Sequence, residues 1–522
     1  MNPTLLSAAA LVAACLLVPS HAAPKLPSTN VAWLPAAADA DIDRAFAQAK
    51  AQNKPVLLYW GATWCPPCNQ LKATLFNRQD FATVSKSFVA VHVDGDRPGA
   101  QKLGTRFKVS GYPTVALFTP QGAEITRLPG EADAPQVMAV LQAGLSGGRP
   151  LKAVLDDALA GKPLPANDWR MLAFYSWETS EEQLVPKAEI PGTLARLAAA
   201  SPATDPETTT RLWLKALAAS DDGKGVKPDA ALRERVLRVL ADPAQTRTHM
   251  DVVTNGADDI VKVLDAEDTP GRVQMLTAFD TALKRLESDT TLSRGDRMGA
   301  IYARVVLARL DQPKDSTQPK IPEALLKDVR EHVARADREI TDGYERMAVI
   351  TYGGGLLARA GLWGDSDALL QANLSRALTP YYLMSQLGGN ARRLGKKDEA
   401  LRWYAQAWEK SEGPATRVQW GRDYVAALLD LAPTDAPRIE KTAAQLLTEA
   451  GRDPGAFQGR SGAQLKRLGG RLAGWGAEGA PAASLKRLQT TLKGVCGKVQ
   501  SADGQRASCE ALLTKPAEKK SA

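Results

Sequence analysis

The residues with the clearest capacity for chemistry are Trp64-Cys65-Pro66-Pro67-Cys68. Two cysteines three positions apart, behind a tryptophan and at the start of a predicted helix, form a dithiol that can cycle through a disulfide. One sulfur attacks and the other resolves the attack. The thiolate is the nucleophile, so the first cysteine needs a lowered pKa and some exposure. A helix N-terminus supplies positive partial charge and free N–H groups at Cys65, and Cys68, one turn in, is expected to be more buried and to resolve. Pro66 and Pro67 fit a first helical turn, where an N–H has no intrahelical acceptor. They also remove two donors, leaving chiefly the N–H groups of Cys68 and Asn69 for the sulfur, and no His, Lys or Arg lies between the cysteines. The expected couple is therefore reducing or mid-range, not strongly oxidising. The bland reading of a lone C-x-x-C is half of a metal site. That needs two further ligands, and the sequence has neither a second C-x-x-C nor a His cluster.

The elements that must position this dithiol run from Val31 to Leu145. Val31 to Leu34 reads as a short strand. Asp39 to Lys50 reads as a helix, because Ile42, Ala45, Phe46 and Ala49 recur on one face and acidic residues open it while Lys50 closes it. Val56 to Trp60 and Phe88 to Val93 are continuous apolar runs, as in strands buried on both faces. Between them the cysteine helix carries the stripe Cys68, Leu71, Leu75. A helix around Gln101 to Phe107, strands Thr114 to Phe118 and Ala123 to Leu128 joined by the turn Thr119-Pro120-Gln121-Gly122, and a helix Pro135 to Leu145 complete the order. This β-α-β-α-β-α-β-β-α order predicts a mixed α/β sheet with helices on both faces.

These residues resemble the thioredoxin superfamily, and in particular bacterial exported thioredoxin-like domains such as the soluble domain of Dsb-type transmembrane reductases. The carriers are Lys54-Pro55, Ala62-Thr63-Trp64-Cys65-Pro66-Pro67-Cys68, Val93-Asp94 and Gly111-Tyr112-Pro113-Thr114. The Pro-Pro dipeptide is similar to that of tryparedoxin- and nucleoredoxin-like proteins. The resemblance implies a thioredoxin fold, protein-disulfide oxidoreductase activity, a cis Pro113 facing the dithiol, and a Tyr112 whose backbone pairs with substrate. With Trp64, Pro66 and Pro67 these residues would shape the contact surface. One position departs from the family: where many thioredoxins place a buried acid six residues before the first cysteine, this chain has Tyr59, so no catalytic acid is carried over. No dissociable cofactor is implied, and nothing resembles a nicotinamide or flavin site.

Ser146 to Pro150 reads as a linker. Beyond it strand signals nearly vanish, and residues 151–513 read as one helix after another with short connections, an all-α array of antiparallel neighbours. Leu387, Gly388, Ala400, Tyr404 and Ala407 are spaced as in a tetratricopeptide repeat, with Leu394 to Ala400 like that family's inter-helix turn. Small residues are needed where two helices approach closely, and Tyr404 would fill the gap. Gly354 to Ala372 and Trp420-Gly421 to Leu447 look like degenerate copies, so tetratricopeptide-like repeats are expected over about 345–451, with an irregular helical array as the alternative. Trp403, Tyr404, Trp408, Trp420 and Tyr424 form an aromatic zone that reads as packing or, less simply, as a partner groove. Residues 514–522 read as a disordered tail.

The N-terminus reads as a targeting segment. Leu5 to Val18 is apolar and short for a bilayer span, and Ser20-His21-Ala22 suits cleavage before Ala23, giving a signal peptide over 1–22. No Lys or Arg precedes the apolar run. Val12-Ala13-Ala14-Cys15 resembles a lipobox, which leaves lipid anchoring through Cys15 open, although apolar Leu16-Leu17-Val18 follows it. The expected location is periplasmic or secreted, with no stable membrane span. In such an oxidising compartment the other two cysteines, Cys496 and Cys509, are expected to form a structural disulfide worth about 3 kcal/mol in the chain-entropy model. A second redox pair relaying electrons to Cys65 and Cys68 is the sharper alternative.

The 522-residue chain is 44% hydrophobic and 24% charged, with a net charge of +8 spread along it without a long basic block. That composition fits a globular protein of two to four domains and argues against a nucleic-acid partner. His92 reads as a core or strand-end residue and Asp94 as a strand terminator that caps a turn. The leading function is an exported thiol–disulfide oxidoreductase acting on client proteins that carry disulfides, served by an unidentified thiol electron donor or acceptor, with the helical region for docking. The alternative is a helical-repeat adaptor whose thioredoxin-like module is a binding domain.

Overall fold

Two apolar runs build the centre of a five-stranded sheet. In the computed structural model, which describes residues 31–130, 132–177, 184–221, 223–477, 481–500 and 503–514, the strands are β1 (Leu34–Ala36), β2 (Val56–Gly61), β3 (Val89–Asp94), β4 (Thr114–Phe118) and β5 (Glu124–Arg127). Their order is β1-β3-β2-β4-β5. The β1–β3 and β3–β2 pairs are parallel, and β2–β4 and β4–β5 are antiparallel. Every residue of β2 is buried. Leu58 and Trp60 face one interior with α1 (Asp39–Gln52), and Leu57 and Tyr59 face the other. This is the mixed sheet with helices on both faces that the sequence predicts.

Four more helices belong to this layer structure: α2 (Pro66–Leu71), α3 (Gln79–Val84), α4 (Ala100–Arg106) and α5 (Ala134–Leu145). A π-helical turn, Lys72–Phe76, continues α2. Two details differ from expectation. The first strand forms at Leu34–Ala36, and Val31 is a core residue ahead of it. The six-residue α3 is too short to leave a helical period in the sequence.

After Leu145 the next helix is Leu151–Leu159. Residues 146–150 interrupt the helices but not the interior. Leu117, Ile125 and Leu141 share one apolar cluster with Leu151, Leu155, Trp169, Phe174 and Trp177. From there the described chain is a large all-helical region.

Within it the expected close approach of paired helices recurs. A Cβ added at Gly354 would lie 2.7 Å from Leu370, one at Gly388 3.2 Å from Tyr404, and one at Gly421 2.8 Å from both Leu446 and Trp408. These glycines sit in the helices Gly343–Arg359, Pro380–Arg393 and Pro414–Leu431, and their contacts are made by the helices that follow each, with Trp408 from the helix before Gly421. The stretches that look degenerate in sequence thus repeat one device. No helix among the described residues is long and apolar enough to cross a membrane. The signal-peptide and Cys15 readings lie outside the described residues, as do 515–522 of the expected tail and 501–502.

Candidate functional site

Cys65 is the N-cap of α2, so its side chain stands where the helix offers free N–H groups. Its Sγ accepts from the Cys68 N–H at 3.2 Å and is bonded to Cys68 Sγ, with the two Cα atoms 5.2 Å apart. The Asn69 N–H goes instead to the Cys65 carbonyl at 3.0 Å. One of the two expected backbone donors therefore reaches the sulfur. Asn69 is buried, and its Nδ2 donates to the Thr63 carbonyl at 2.9 Å, bracing the turn that presents Trp64.

Tyr112–Pro113 is a cis peptide, and the Tyr112 ring lies 6.4 Å from that of Trp64. Gln101 fixes the tyrosine by donating from Nε2 to Tyr112 Oη and to the Gly95 carbonyl, each at 2.9 Å. Gly95 must be glycine here, since a Cβ would fall 2.1 Å from Tyr112 Oη. Burial raises the Tyr112 phenol to about 12, so it stays a neutral hydrogen-bonding group.

Behind the dithiol, at the position of the family's buried acid, Tyr59 stacks on His92 with ring centroids 4.8 Å apart. Its hydroxyl is buried without a partner among the described residues, and burial holds the phenol above its usual range. Burial, with Lys72 next in importance, lowers His92 to about 4. His92 is thus a neutral ring wedged in the strand layer. Asp94 ends β3, and its Oδ1 accepts from the Asp96 N–H at 3.1 Å.

The sequence did not foretell how thoroughly the helical region covers the site. Cys65 is 2% exposed, Cys68 0% and Trp64 7%. Their apolar neighbours include Tyr381, Met384 and Trp420 from the helices beyond residue 380. Trp64 stacks on Tyr382 at 6.2 Å and meets Trp420 edge-on at 6.1 Å. The Arg460 guanidinium lies 5.1 Å from the Trp64 ring centre and 5.7 Å from that of Tyr112. Asp96 accepts from Trp64 Nε1 at 3.1 Å, from the Thr416 N–H at 2.6 Å and from the Thr416 hydroxyl. Around the rim, Gly99 N–H donates to Asp453, Gly459 N–H to Thr105 Oγ1 and Ser461 N–H to Gln101 Oε1.

The expectation of an exposed Cys65 therefore fails. A helix N-terminus would be open on an isolated α/β domain, but here the chain's own later helices occupy that face. The aromatic zone is partly explained by the same fact, since Trp420 packs on the dithiol's own tryptophan. Asp96, Gln101, Tyr382, Thr416 and Arg460 join the site without any local sign of it in the sequence. Apart from the aromatic cluster, single residues 300 positions away leave no local pattern. Pro66 and Pro113 are half-buried and Pro67 is exposed. Cys496 and Cys509 are bonded to each other, joining the end of the helix Pro481–Cys496 to the helix Gln505–Glu510.

Comparison with known proteins finds relatives of the α/β region. Residues 42–145 match a family model described as a thioredoxin-like domain. Two curated proteins of Pseudomonas aeruginosa are similar. Thiol:disulfide interchange protein DsbD 2 is 32% identical over 120 residues, covering 22% of this chain and 20% of that protein. Thiol:disulfide interchange protein DsbD 1 is 33% identical over 122 residues, with the same coverage of 22% and 20%. The chain thus spans about a fifth of the length of these relatives. A solution structure of a thioredoxin from Thermus thermophilus is 27% identical, covering 22% of this chain and 85% of that one, with a TM-score of 0.19. Residues 42–145, with Cys65 and Cys68 at the start of α2, are a thioredoxin-superfamily domain joined to a large all-helical region.

Proposed function

We propose that the chain is an exported thiol–disulfide oxidoreductase that reduces or exchanges disulfides in client proteins, with the helical region docking client or partner. One observation carries this: the two bonded sulfurs at the head of α2, with the Cys68 N–H aimed at Cys65 Sγ. In the dithiol form, the Cys65 thiolate attacks one sulfur of the client disulfide. A Cys65–client bond forms, the client S–S bond breaks, and the departing client sulfur takes up a proton. Cys68 then loses its proton and attacks Cys65 Sγ. The mixed disulfide breaks, the client leaves as a dithiol with two electrons gained, and Cys65–Cys68 is oxidised. A thiol donor must return two electrons for another turnover. Trp64, Pro66, Pro67, Tyr112 and Pro113 form the contact surface.

Tyr59 is no acid at neutral pH, so the Cys68 proton leaves to water or to the departing client sulfur. The helical cover must shift before a protein disulfide can reach Cys65. The test is insulin-disulfide reduction by the full chain against Cys65→Ser, with Cys68→Ala used to trap mixed disulfides. Wild-type activity lost in Cys65→Ser, and clients held covalently through Cys65, are the expected results.

A second reading has support from the burial of both sulfurs. In it the chain is a helical-repeat adaptor, and Cys65–Cys68 is a structural bond within an interior shared by both regions. Equal, near-zero insulin reduction by wild type and Cys65→Ser, with no trapped client, would select it.

A further inference from the structure

The helical region meets α4 along a seam where two backbones nearly touch. A Cβ added at Gly455 would lie 3.3 Å from Gly99 Cα, and one at Gly459 2.5 Å from the Gln101 carbonyl oxygen. Across the seam Gly99 N–H donates to Asp453 Oδ1 at 2.9 Å, Gly459 N–H to Thr105 Oγ1 at 2.8 Å and Ser461 N–H to Gln101 Oε1 at 3.2 Å. Gln101 also holds Tyr112, and Arg460 lies over the Trp64 and Tyr112 rings. Residues 453–461 are therefore the part of the cover that grips α4 and reaches the rings beside Cys65.

Most of this stretch is a connection between the helices Ala436–Ala450 and Gly459–Trp475, and it is braced from behind. Gln505, 2% exposed, donates from Nε2 to the Pro454 carbonyl at 2.6 Å. Gln458 Nε2 donates to the Asp503 carbonyl at 3.0 Å. Asp503 Oδ2 also comes within 3.9 Å of Lys102 Nζ on α4 itself. Both braces thus come from the helix Gln505–Glu510 and its approach. A helix of six residues does not persist on its own. This one is bonded through Cys509 to Cys496, the last residue of the helix Pro481–Cys496, which is in turn paired to Ala436–Ala450 by Arg487 and Glu440. One covalent bond therefore stands behind Gln505 and Asp503, and these stand behind the seam on α4.

We propose that Cys496–Cys509 is a redox latch: bonded, it keeps the helical cover on Cys65–Cys68, and its reduction by a dithiol releases that cover. One thiolate of the dithiol attacks a latch sulfur. A mixed disulfide forms, the Cys496–Cys509 bond breaks, and the departing sulfur takes up a proton. The second thiol of the reductant loses its proton and closes on the first. The reductant leaves as a cyclic disulfide, and Cys496 and Cys509 remain as two thiols with two electrons gained. Cys496 is 1% exposed and Cys509 0%, so the attack follows local opening of the six-residue helix, a low-cost event beside global unfolding. The latch goes beyond the oxidoreductase reading, because it concerns access to Cys65–Cys68 whether or not that bond serves clients.

The test follows both disulfides of the full-length protein in dithiothreitol, with thiols alkylated at intervals and located by peptide mass spectrometry. In the wild type Cys496–Cys509 is expected to open first and Cys65–Cys68 to follow after a lag. The double variant Cys496→Ser, Cys509→Ser is expected to lose the lag and to reduce Cys65–Cys68 about tenfold faster. Gln505→Ala keeps the sulfur bond and removes one brace, for an expected gain of about threefold. It also decides the matter, with the wild-type order of reduction, should the double variant not fold. Hydrogen exchange separates a latch from a general loss of stability. In the double variant the amides of Gly99, Gly459 and Ser461 should lose protection while those of the helix Gly343–Arg359 keep theirs. Cys65–Cys68 opening first in the wild type, or rates in the folded variants equal to wild type, overturns the proposal. Protection lost equally at both places also overturns it and leaves Cys496–Cys509 a structural bond.

Discussion

Thr416 donates twice to the carboxylate of Asp96, from its N–H at 2.6 Å and from its hydroxyl, and that same carboxylate holds Trp64 Nε1. One half-buried side chain thus ties the residue before Cys65 to the helix Pro414–Leu431. Hydrogen bonds to a charged acceptor are each worth about 1.5–3 kcal/mol. Together with the Trp64–Trp420 contact they hold the helical region against the dithiol.

Removing part of that tie should therefore expose the dithiol. Thr416→Val deletes the hydroxyl donor and keeps the N–H. Trp420→Ala deletes an aromatic partner worth about 0.5–1.5 kcal/mol beyond its burial. Each is expected to raise the rate at which a water-soluble phosphine reduces Cys65–Cys68, by about three- to thirtyfold, read by thiol alkylation and mass spectrometry. Rates equal to wild type in both variants would mean that the cover does not limit access.

The same carboxyl gives the cover a pH dependence. Burial raises Asp96 to about 6, working against the Thr416 hydrogen bond, and Asp94 pushes the same way as burial. An opened, hydrated Asp96 would titrate near the ordinary carboxylate value. The closed form therefore binds the proton more tightly, and closure weakens as pH rises from about 4 through about 6. Phosphine reduction of the wild type, taken as a ratio to Asp96→Asn at each pH, is expected to climb between pH 4.5 and 6.5. A flat ratio would remove Asp96 from the control of closure.

Much of the α/β layer could be read from the chain because its signals are local. The runs Val56 to Trp60 and Phe88 to Val93 declare strands buried on both faces, and Cys65-Pro66-Pro67-Cys68 declares a helix start. The cover could not be read, because Asp96 and Thr416 are 320 positions apart and neither belongs to a periodic pattern. The repeat region lies between these cases. The Gly388–Tyr404 contact could be inferred from tetratricopeptide-like spacing, whereas the equivalent contacts of Gly354 and Gly421 use Leu370, Leu446 and Trp408 in place of a tyrosine and so escape a motif.

That contact predicts a size-dependent instability. A Cβ at Gly388 would sit 3.2 Å from the Tyr404 ring, so Gly388→Val forces the two helices apart. Overpacking of this kind typically costs about 1–3 kcal/mol. Chemical denaturation should show that loss, and Tyr404→Ala in the same chain should restore part of it by making room. A double variant no more stable than the sum of its single losses would mean that the contact does not set the helix spacing.

His92 should govern part of the response to acid. Its folded pKa of about 4, set first by burial and then by Lys72, lies below the ordinary value of 6.5. Between those values the unfolded chain binds a proton that the folded one refuses, so the stability is present above about pH 6.5 and is lost as pH falls toward 4. His249 is lowered to about 4 as well, by burial and then Arg211, and acts in the same direction. Each contributes on the order of 3 kcal/mol at most across this window. His92→Phe keeps a ring to stack on Tyr59 and removes the titrating nitrogen. Its unfolding free energy is expected to fall less steeply than that of the wild type between pH 6.5 and 4.5, measured by denaturant titration at each pH. Parallel curves for the two proteins would show that His92 takes up its proton without strain in the folded state.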